Sequence, residues 1–276
     1  HISNIVLKGS LDVASLGDIF GVGALAGAVN GVYAPVIKNV HNYVTINSMA
    51  SYTGGIIGSF HRGVIENCHN YADITGNNYA AGIVGYTQVY NNGTDRAYVF
   101  KCSNEGDITG ENAGGIQGQA KANTNSSYNL GAINGTTYAG GIVGFTNNAS
   151  TTIEECWNSG SVTSSTNAGG IAGKDNGRAA IITNCFNLGT VTGSTKGAAI
   201  GLTGAATAVT GFYDAVNDGM QVIGSGSSAT KENAYVLGTD KTPDELKALK
   251  NEAPFNEAPW MTVQGFDYPL LVNSQL

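Results

Sequence analysis

Charged residues are scarce in this 276-residue chain, at 12% of the total, and 13 basic residues stand against 20 acidic ones. The net charge of −7 and the lack of any basic cluster argue against a nucleic-acid partner, because a phosphate backbone requires clustered cations. No run of 18 apolar residues occurs, so we expect no membrane insertion by this segment. With only 5 prolines and no three-residue period among its 40 glycines, the chain is not collagen-like.

The chain is rich instead in repetition. A pentad with the pattern Ala/Gly-Gly-Ile-x-Gly occurs five times, with its isoleucines 27, 33, 26 and 29 residues apart. A spacing of this kind indicates stacked structural repeats rather than an ordinary globular core. The isoleucines of the pentads are Ile56, Ile83, Ile116, Ile142 and Ile171.

A Cys-x-Asn pattern follows each pentad and forms a second set of equivalent positions. Short β-branched runs flank it, separated by Gly, Asn, Ser and Thr, in units too short for a helical crossover. Each unit therefore predicts one coil of a parallel β-solenoid, with the Asn at a turn where its amide can bond the backbone and the amides of neighbouring coils. The Cys position holds Val40, Cys68, Cys102, Ser127, Cys156, Cys185 and Phe212. The Asn position holds Asn42, Asn70, Asn104, Asn129, Asn158, Asn187 and Asp214.

These patterns predict an all-β fold, a parallel β-helix of about seven to eight coils, right-handed by the general preference of parallel crossovers. The repeat domain is expected over residues 1–215, and residues 216–276 are expected to form a C-terminal cap of the same structural unit. Thr242-Pro243-Asp244-Glu245 reads as a capping box with proline at the first helical position, which predicts one helix. Beyond it, Trp260 and the aromatic residues of segment 266–270 supply the apolar mass needed to cover the last coil.

The pentad followed by Ile-x-x-Cys-x-Asn-x-Gly-x-Val/Ile resembles the GLUG motif, found in bacterial surface proteins and in accessory regions of the immunoglobulin A-specific metalloprotease family. The match covers about residues 50 to 205, and several successive units carry both halves. The resemblance implies an exported β-solenoid at the bacterial cell surface with an adhesive or display role. The zinc signature of the protease family, His-Glu-x-x-His, is absent, so the resemblance offers no residue for peptidase activity.

Histidine and cysteine number four each, which leaves few residues for metal or nucleophilic chemistry. His41 and His69 share one position in adjacent coils, but a zinc site usually needs three or four ligands, so we predict two outward polar residues and no metal. The four cysteines share one ladder position, and no Cys-x-x-Cys occurs. Stacked strands hold parallel Cβ atoms about 4.8 Å apart, which exceeds the usual disulfide range, so we predict buried free thiols and no disulfide.

Two carboxylates offer an alternative function. Asp73 and Asp107 occupy equivalent positions in adjacent coils, where stacking would hold them about 5 Å apart, close to the separation in a retaining glycosidase. A carbohydrate-active β-helix enzyme, either a polysaccharide lyase or a hydrolase, would use this pair. Later units place Ala132, Ser161 and Thr190 at the same position, which favours solvated outward residues without catalytic work.

Aromatic rings stand directly after the Cys position in four successive units. Strand alternation puts these rings on the face opposite the cysteines, with neighbouring rings roughly 5 Å apart. If the stripe is exposed it suits carbohydrate stacking or a protein partner, whereas a covering loop or C-terminal cap would make it a satellite core. The stripe consists of Tyr128, Trp157, Phe186 and Tyr213. A second outward column precedes the glycine pairs and holds Tyr52, Tyr79 and Tyr138.

These observations together predict a non-enzymatic, extracellular adhesion module at the bacterial cell surface. We expect a monomer without a cofactor that binds a host glycan or a host surface protein through the aromatic stripe. Besides the enzyme, a passive spacer that holds another domain away from the cell surface is a further alternative.

Overall fold

The computed structural model describes residues 1–14, 20–30, 33–90, 95–147, 151–176, 179–204, 207–226, 229–261 and 269–271. Within these ranges the strands form one 24-stranded sheet, one 8-stranded sheet and a two-stranded pair, and nearly all neighbours run parallel. The predicted all-β parallel solenoid is thus confirmed. It has about six turns, slightly fewer than the seven to eight predicted. Val191–Thr192 and Thr195–Gly197 pair with the preceding coil, and no strand in the described ranges pairs with their other side. The last coil is therefore incomplete.

The two large sheets share each coil between them. The 8-stranded sheet consists of Ala26–Val29, Ile57–Phe60, Val84–Thr87, Gln117–Ala120, Val143–Thr146, Ala172–Asp175, Ile200–Thr203 and Ile223–Ser225. The first half of the 24-stranded sheet consists of Ile2–Val13, Gly21–Gly23, Val36–Ser48, Tyr52–Gly54, Gly63–Glu66, His69–Asn70, Ile74–Thr75, Tyr79–Ala81, Val89–Tyr90, Asp95–Phe100, Ser103–Asn104 and Ile108–Gly114. Its second half consists of Asn123–Asn125, Tyr128–Asn129, Ile133–Gly140, Thr152–Glu154, Trp157–Asn158, Val162–Ser164, Asn167–Gly169, Ile181–Asn187, Val191–Thr192, Thr195–Gly197, Ala208–Asp214 and Thr230–Val236.

Each coil turns a corner at a residue with positive φ, directly before the Cys position. Asparagine tolerates this left-handed conformation better than most residues, and it occupies the corner in five of the coils described. The corner residues are Asn4, Asn39, Asn67, Lys101, Ser126, Glu155, Asn184, Gly211 and Asn233, with φ between 47° and 63°. The corner turns the next side chain, at the Cys position, into the core.

The Asn position forms a continuous ladder inside the solenoid. Each amide nitrogen donates to the side-chain oxygen of the next coil, as Asn104 does to Asn129 at 2.7 Å and Asn129 to Asn158 at 2.7 Å. The same nitrogen also donates to a backbone carbonyl two residues on, as from Asn129 to Gly131 at 2.8 Å. The ladder ends on the carboxylate of Asp214, which accepts from Asn187 at 2.6 Å. Each amide from Asn70 to Asn187 therefore has a side-chain partner in both neighbouring coils, as the repeat predicts.

The glycine directly before the isoleucine of each pentad packs against this ladder. A Cβ added to Gly82 would overlap the Asn104 side-chain oxygen and the backbone carbonyl of Gly115. The φ of Gly82 is not in the left-handed region, so the glycine is required by the close approach of the backbone and the ladder. The glycine of the pentad and the Asn of the Cys-x-Asn pattern thus contact each other.

Apolar ladders fill the interior on both sides of the Asn ladder. The larger core holds the pentad isoleucines together with the Cys position, and the smaller one holds Ile46, Ile74, Ile108 and Ile133 with a column of alanines. Each of the four cysteines is buried and carries a free thiol. Burial raises the pKa of Cys102 and of Cys156 well above the ordinary thiol value, so these side chains are uncharged packing groups.

The solenoid extends past the predicted boundary at residue 215. Thr230–Val236 pairs in register with Ala208–Asp214, and Ala234 and Val236 continue the Cys and Asn positions without the repeat signature. The predicted helix is confirmed as Pro243–Ala248, with both hydrogen bonds of its capping box, and a 3-10 turn follows over Leu249–Asn251. No helix in the described ranges has the length and apolar character needed to cross a membrane.

Candidate functional site

One outward column runs along the whole described solenoid, at the residue that follows the Cys position. Backbone pairing fixes its order. The column holds Val6, His41, His69, Ser103, Tyr128, Trp157, Phe186, Tyr213 and Tyr235. The predicted stripe is its C-terminal half, and the rings stack with centroids 4.8, 5.5 and 5.3 Å apart from Tyr128 to Tyr213.

The C-terminal cap covers this half of the column. Trp157, Phe186 and Tyr213 are buried, and only Tyr128 at the edge of the cap is partly exposed. The Tyr213 hydroxyl donates to the backbone carbonyl of Pro269. The residues that cover the rings are Leu246, Leu249, Phe255, Trp260 and Leu271. The expectation of an exposed binding stripe at these four rings is therefore corrected: apolar cap residues bury three of them as a satellite core.

The cap leaves the N-terminal half of the column uncovered, where Val6 is exposed, His41 and His69 are half-buried and Ser103 is buried. His41 and His69 stack with centroids 5.0 Å apart, as their shared position predicts. A parallel column after the Asn position adds Tyr43 and Tyr71, which stack at 4.6 Å. The hydroxyl of Tyr71 lies 3.4 Å from His41 Nδ1, which links the two columns. We call these four residues the open ring face.

His69 is the most constrained member of the open ring face. Its Nδ1 lies 2.7 Å from the Ser103 hydroxyl and its Nε2 lies 3.2 Å from the side-chain oxygen of Asn67. Neutral imidazole satisfies both, since Nε2–H can donate to Asn67 while Nδ1 accepts from Ser103. Burial, together with the neighbouring His41, lowers the pKa of His69. The His69 imidazole is therefore uncharged at neutral pH.

The ring columns end toward the N-terminus at a shallow depression lined by Val6, Lys8, His41 and Tyr43. Val6 pairs with His41 and Lys8 with Tyr43, so aliphatic side chains rather than rings stand next to the last two rings of the columns. Tyr43 is 44% exposed and Val6 is 58% exposed. The Lys8 ammonium lies 5.9 Å from the centroid of the Tyr43 ring. This end of the face combines flat aromatic surface with one cation.

The second predicted column, at Tyr52, Tyr79 and Tyr138, lies at a different corner of the coil. Tyr52 and Tyr79 stack at 5.5 Å, and Tyr138 lies two coils further on, with Asn112 between. Rings from the 8-stranded sheet pack onto the column: Tyr86 stacks on Tyr52, and Phe145 on Tyr138. Tyr86 and Phe145 are buried, so this cluster joins the two sheets more than it faces solvent.

Asp73 and Asp107 are neighbours in adjacent coils, as predicted, but both carboxylates serve the turns. Asp73 Oδ1 accepts from the backbone N–H of Asp107 at 2.9 Å, and Asp107 Oδ1 accepts from that of Ala132 at 2.8 Å. Each carboxylate thus anchors the next coil at an exposed turn. Among the described residues, no group of three or more His, Cys, Asp or Glu side chains is placed to hold a metal ion.

Tyr43, Tyr71 and Lys8 are site residues that the sequence reasoning missed. They follow the Asn position, whereas the predicted stripe lies at the residue directly before it. The signal was present, because an inward Asn places both of its neighbours on the outer face. The matched Tyr43 and Tyr71, one repeat apart, could have revealed the second column.

The comparisons with known proteins are sparse. No protein-family model matches the chain, and no curated protein matches it. A solved structure from Bacteroides ovatus, described as a "putative immunoglobulin A1 protease", is similar over 93% of this chain and 88% of that chain, with a TM-score of 0.59 and 17% identity. At this identity the likeness shows a shared fold.

Proposed function

We propose that this protein is a non-enzymatic binding module of the bacterial cell surface that recognises glycans. The observation that carries the proposal is the open ring face, where His41, Tyr43, His69 and Tyr71 form two stacked columns on a part of the solenoid that the cap leaves uncovered. A contiguous, partly exposed aromatic patch of this kind is typical of an interaction surface. The GLUG-like repeat supports the surface location.

Sugars fit this face for a physical reason. The negative face of an aromatic ring attracts the partly positive C–H groups of a pyranose, and flat rings exclude water from the contact. Stacked columns hold the rings rigidly, so little conformational entropy is lost on binding. The tyrosine hydroxyls and His41 add hydrogen-bonding groups at the ring edges.

A glycan array, supported by a pull-down with host surface proteins, tests the proposal. We expect glycan binding by the wild type and at least tenfold weaker binding by Tyr43→Ala and Tyr71→Ala, because the first removes exposed aromatic surface and the second removes the ring on which Tyr43 stacks. Tyr98→Ala is the matched control, since Tyr98 is 48% exposed on another part of the coil. Binding of a host protein but of no glycan would mean that the partner is a protein and that the glycan proposal is wrong.

Three alternatives remain, a passive spacer, a peptidase and a carbohydrate-active enzyme, and the last two need an assay for released fragments. A wild type that binds nothing in either assay would leave the passive spacer as the better description. The name of the similar Bacteroides ovatus structure suggests peptidase activity, and the Asp73–Asp107 pair suggests glycan cleavage. Release of peptide or sugar fragments, abolished by Asp107→Ala in the second case, would contradict a module without catalysis.

A further inference from the structure

The structure carries an inference that rests on the proposed function and narrows its ligand. From the depression at the N-terminal end of the open ring face, we infer that the preferred ligand is a sugar that carries a carboxylate. Its ring would lie in the depression against the exposed parts of the His41 and Tyr43 rings, and its carboxylate would accept from the Lys8 ammonium.

The aromatic part of the depression follows from the way the two columns end. In the interior of the columns each ring face is covered by the ring of the next coil, as His41 covers His69 and Tyr43 covers Tyr71. The rung before His41 and Tyr43 holds Val6 and Lys8, whose side chains line the depression without a ring. The exposed parts of the His41 and Tyr43 rings therefore line the depression, and the Lys8 ammonium stands over the Tyr43 ring at its rim.

The charge of the depression points to an anion. Lys8 is exposed, and none of the ion pairs within the described ranges includes it. Strand Val36–Ser48, which carries His41 and Tyr43, contains no acidic residue. The acid of strand Ile2–Val13 is Asp12, about 13 Å from Lys8 along an extended chain. Asp12 accepts from Ala14 N and Asn47 Nδ2.

The local cation outweighs the net charge of −7 at short range. Charges further away than about 8 Å are largely screened at physiological ionic strength. A hydrogen bond between an ammonium and a carboxylate is about twice as strong as a neutral one, and it adds to the stacking that a neutral sugar also makes. The sugar that carries a carboxylate is thus preferred over its neutral counterpart in the same depression.

Isothermal titration with two oligosaccharides tests the inference directly. One ends in glucuronic acid and the other in glucose, so that they differ only at the terminal carboxylate. We expect the wild type to bind the acid about tenfold more tightly, as one charge-assisted hydrogen bond allows. Lys8→Met, which keeps the aliphatic stem, should bind the acid about tenfold more weakly and the neutral sugar unchanged.

Two further variants separate the site from the overall effect of charge. Tyr43→Ala should weaken both sugars, and Lys196→Met, which removes an exposed lysine elsewhere on the solenoid, should change neither. Equal affinity for the two sugars, or an unchanged preference in Lys8→Met, overturns the carboxylate inference and leaves glycan binding intact. A glycan array on which the wild type binds no sugar overturns the proposed function itself.

Discussion

At the scale of single residues, the Asn ladder sets the strictest chemical requirement in the molecule. Each internal Asn must accept on its oxygen and donate on its nitrogen, because it stands between two identical side chains. At the last position the requirement changes: the Asp214 carboxylate accepts from Asn187, from Asn217 Nδ2 and from two backbone N–H groups. Burial raises the pKa of Asp214, and these donors oppose that shift. A carboxylate suits only this terminal place.

An Asn129→Asp substitution should therefore destabilise the fold by about 3 kcal/mol or more, because a buried charge would face two acceptors that have lost their donor. Urea denaturation followed by circular dichroism measures the loss. Asn134→Asp is the matched control, since Asn134 is exposed on the same coil, and we expect it to change stability by about 0.5 kcal/mol at most. A similar stability for the two variants would contradict the ladder's role.

His69 predicts a dependence of stability on pH. Its pKa is lowered in the folded protein, so the unfolded chain takes up a proton near pH 6.5 that the folded chain resists. The free energy of unfolding should therefore fall as the pH drops from 7.5 to 5.5. In His69→Gln part of this fall should disappear, and His61, whose pKa is also lowered, should maintain the rest. Denaturation curves at the two pH values measure this fall in the wild type and in His69→Gln. An equal fall in both proteins would contradict the role of His69.

At the scale of elements, the cap decides what the solenoid shows to solvent. Its helix, 3-10 turn and terminal strand pair place apolar side chains over three stacked rings that would otherwise be exposed. Trp260 contacts the stripe directly, with ring centroids 6.0 Å from Phe186 and 5.7 Å from Tyr213. The cap thus divides one continuous column into a buried half and an open half.

Fluorescence can test this division, because the chain has two tryptophans. In Trp260→Phe the remaining Trp157 is 3% exposed, so we expect blue-shifted emission and weak quenching by acrylamide. The urea-unfolded variant gives the reference for full exposure. Emission and quenching close to that reference in the folded variant would show that the stripe is open.

Local periodicity predicted the ladders but left open whether the cap covers the aromatic stripe. The Cys, Asn and Ile positions follow from the sequence because each coil repeats the same contacts with the next. The contact of Trp260 with Phe186 joins residues far apart in sequence, and the cap has no repeat to set its register. For the same reason the last strand, Thr230–Val236, escaped prediction: Ala234 and Val236 fill ladder positions without the signature. The open half was missed because Tyr43 and Tyr71 lie on the far side of each Asn.

At the scale of the whole molecule, the two ends of the solenoid differ. The C-terminal end carries the cap, whereas the described N-terminal strand Ile2–Val13 pairs only with Val36–Ser48 and is largely exposed. Interior strands such as Ile133–Gly140 have partners on both sides. Cooperative stability should therefore decline toward the N-terminal end, which also carries the open ring face.

Hydrogen exchange followed by mass spectrometry measures this gradient. Peptides from residues 2–13 should exchange much faster than peptides from residues 133–140, because amides on a free edge open without disturbing the core. Saturation with a bound glycan should slow the first set and leave the second unchanged. Uniform protection along the chain would mean that the N-terminal strand is held by contacts beyond those described.

The Asn ladder also gives the solenoid a direction. Every amide of the ladder donates toward the C-terminal end, so the amide dipoles of the ladder align head to tail. Their positive end meets the Asp214 carboxylate, as a helix N-terminus meets an anion. A further coil with its own Asn can be inserted anywhere before Asp214 without breaking the chain of donors. At Asp214 the chain of donors ends, because a carboxylate has no hydrogen to pass on, and the next strand places the apolar Val236 at this position. A single side chain thereby fixes where the amide ladder can be lengthened and where it ends, while strand pairing continues for one more strand.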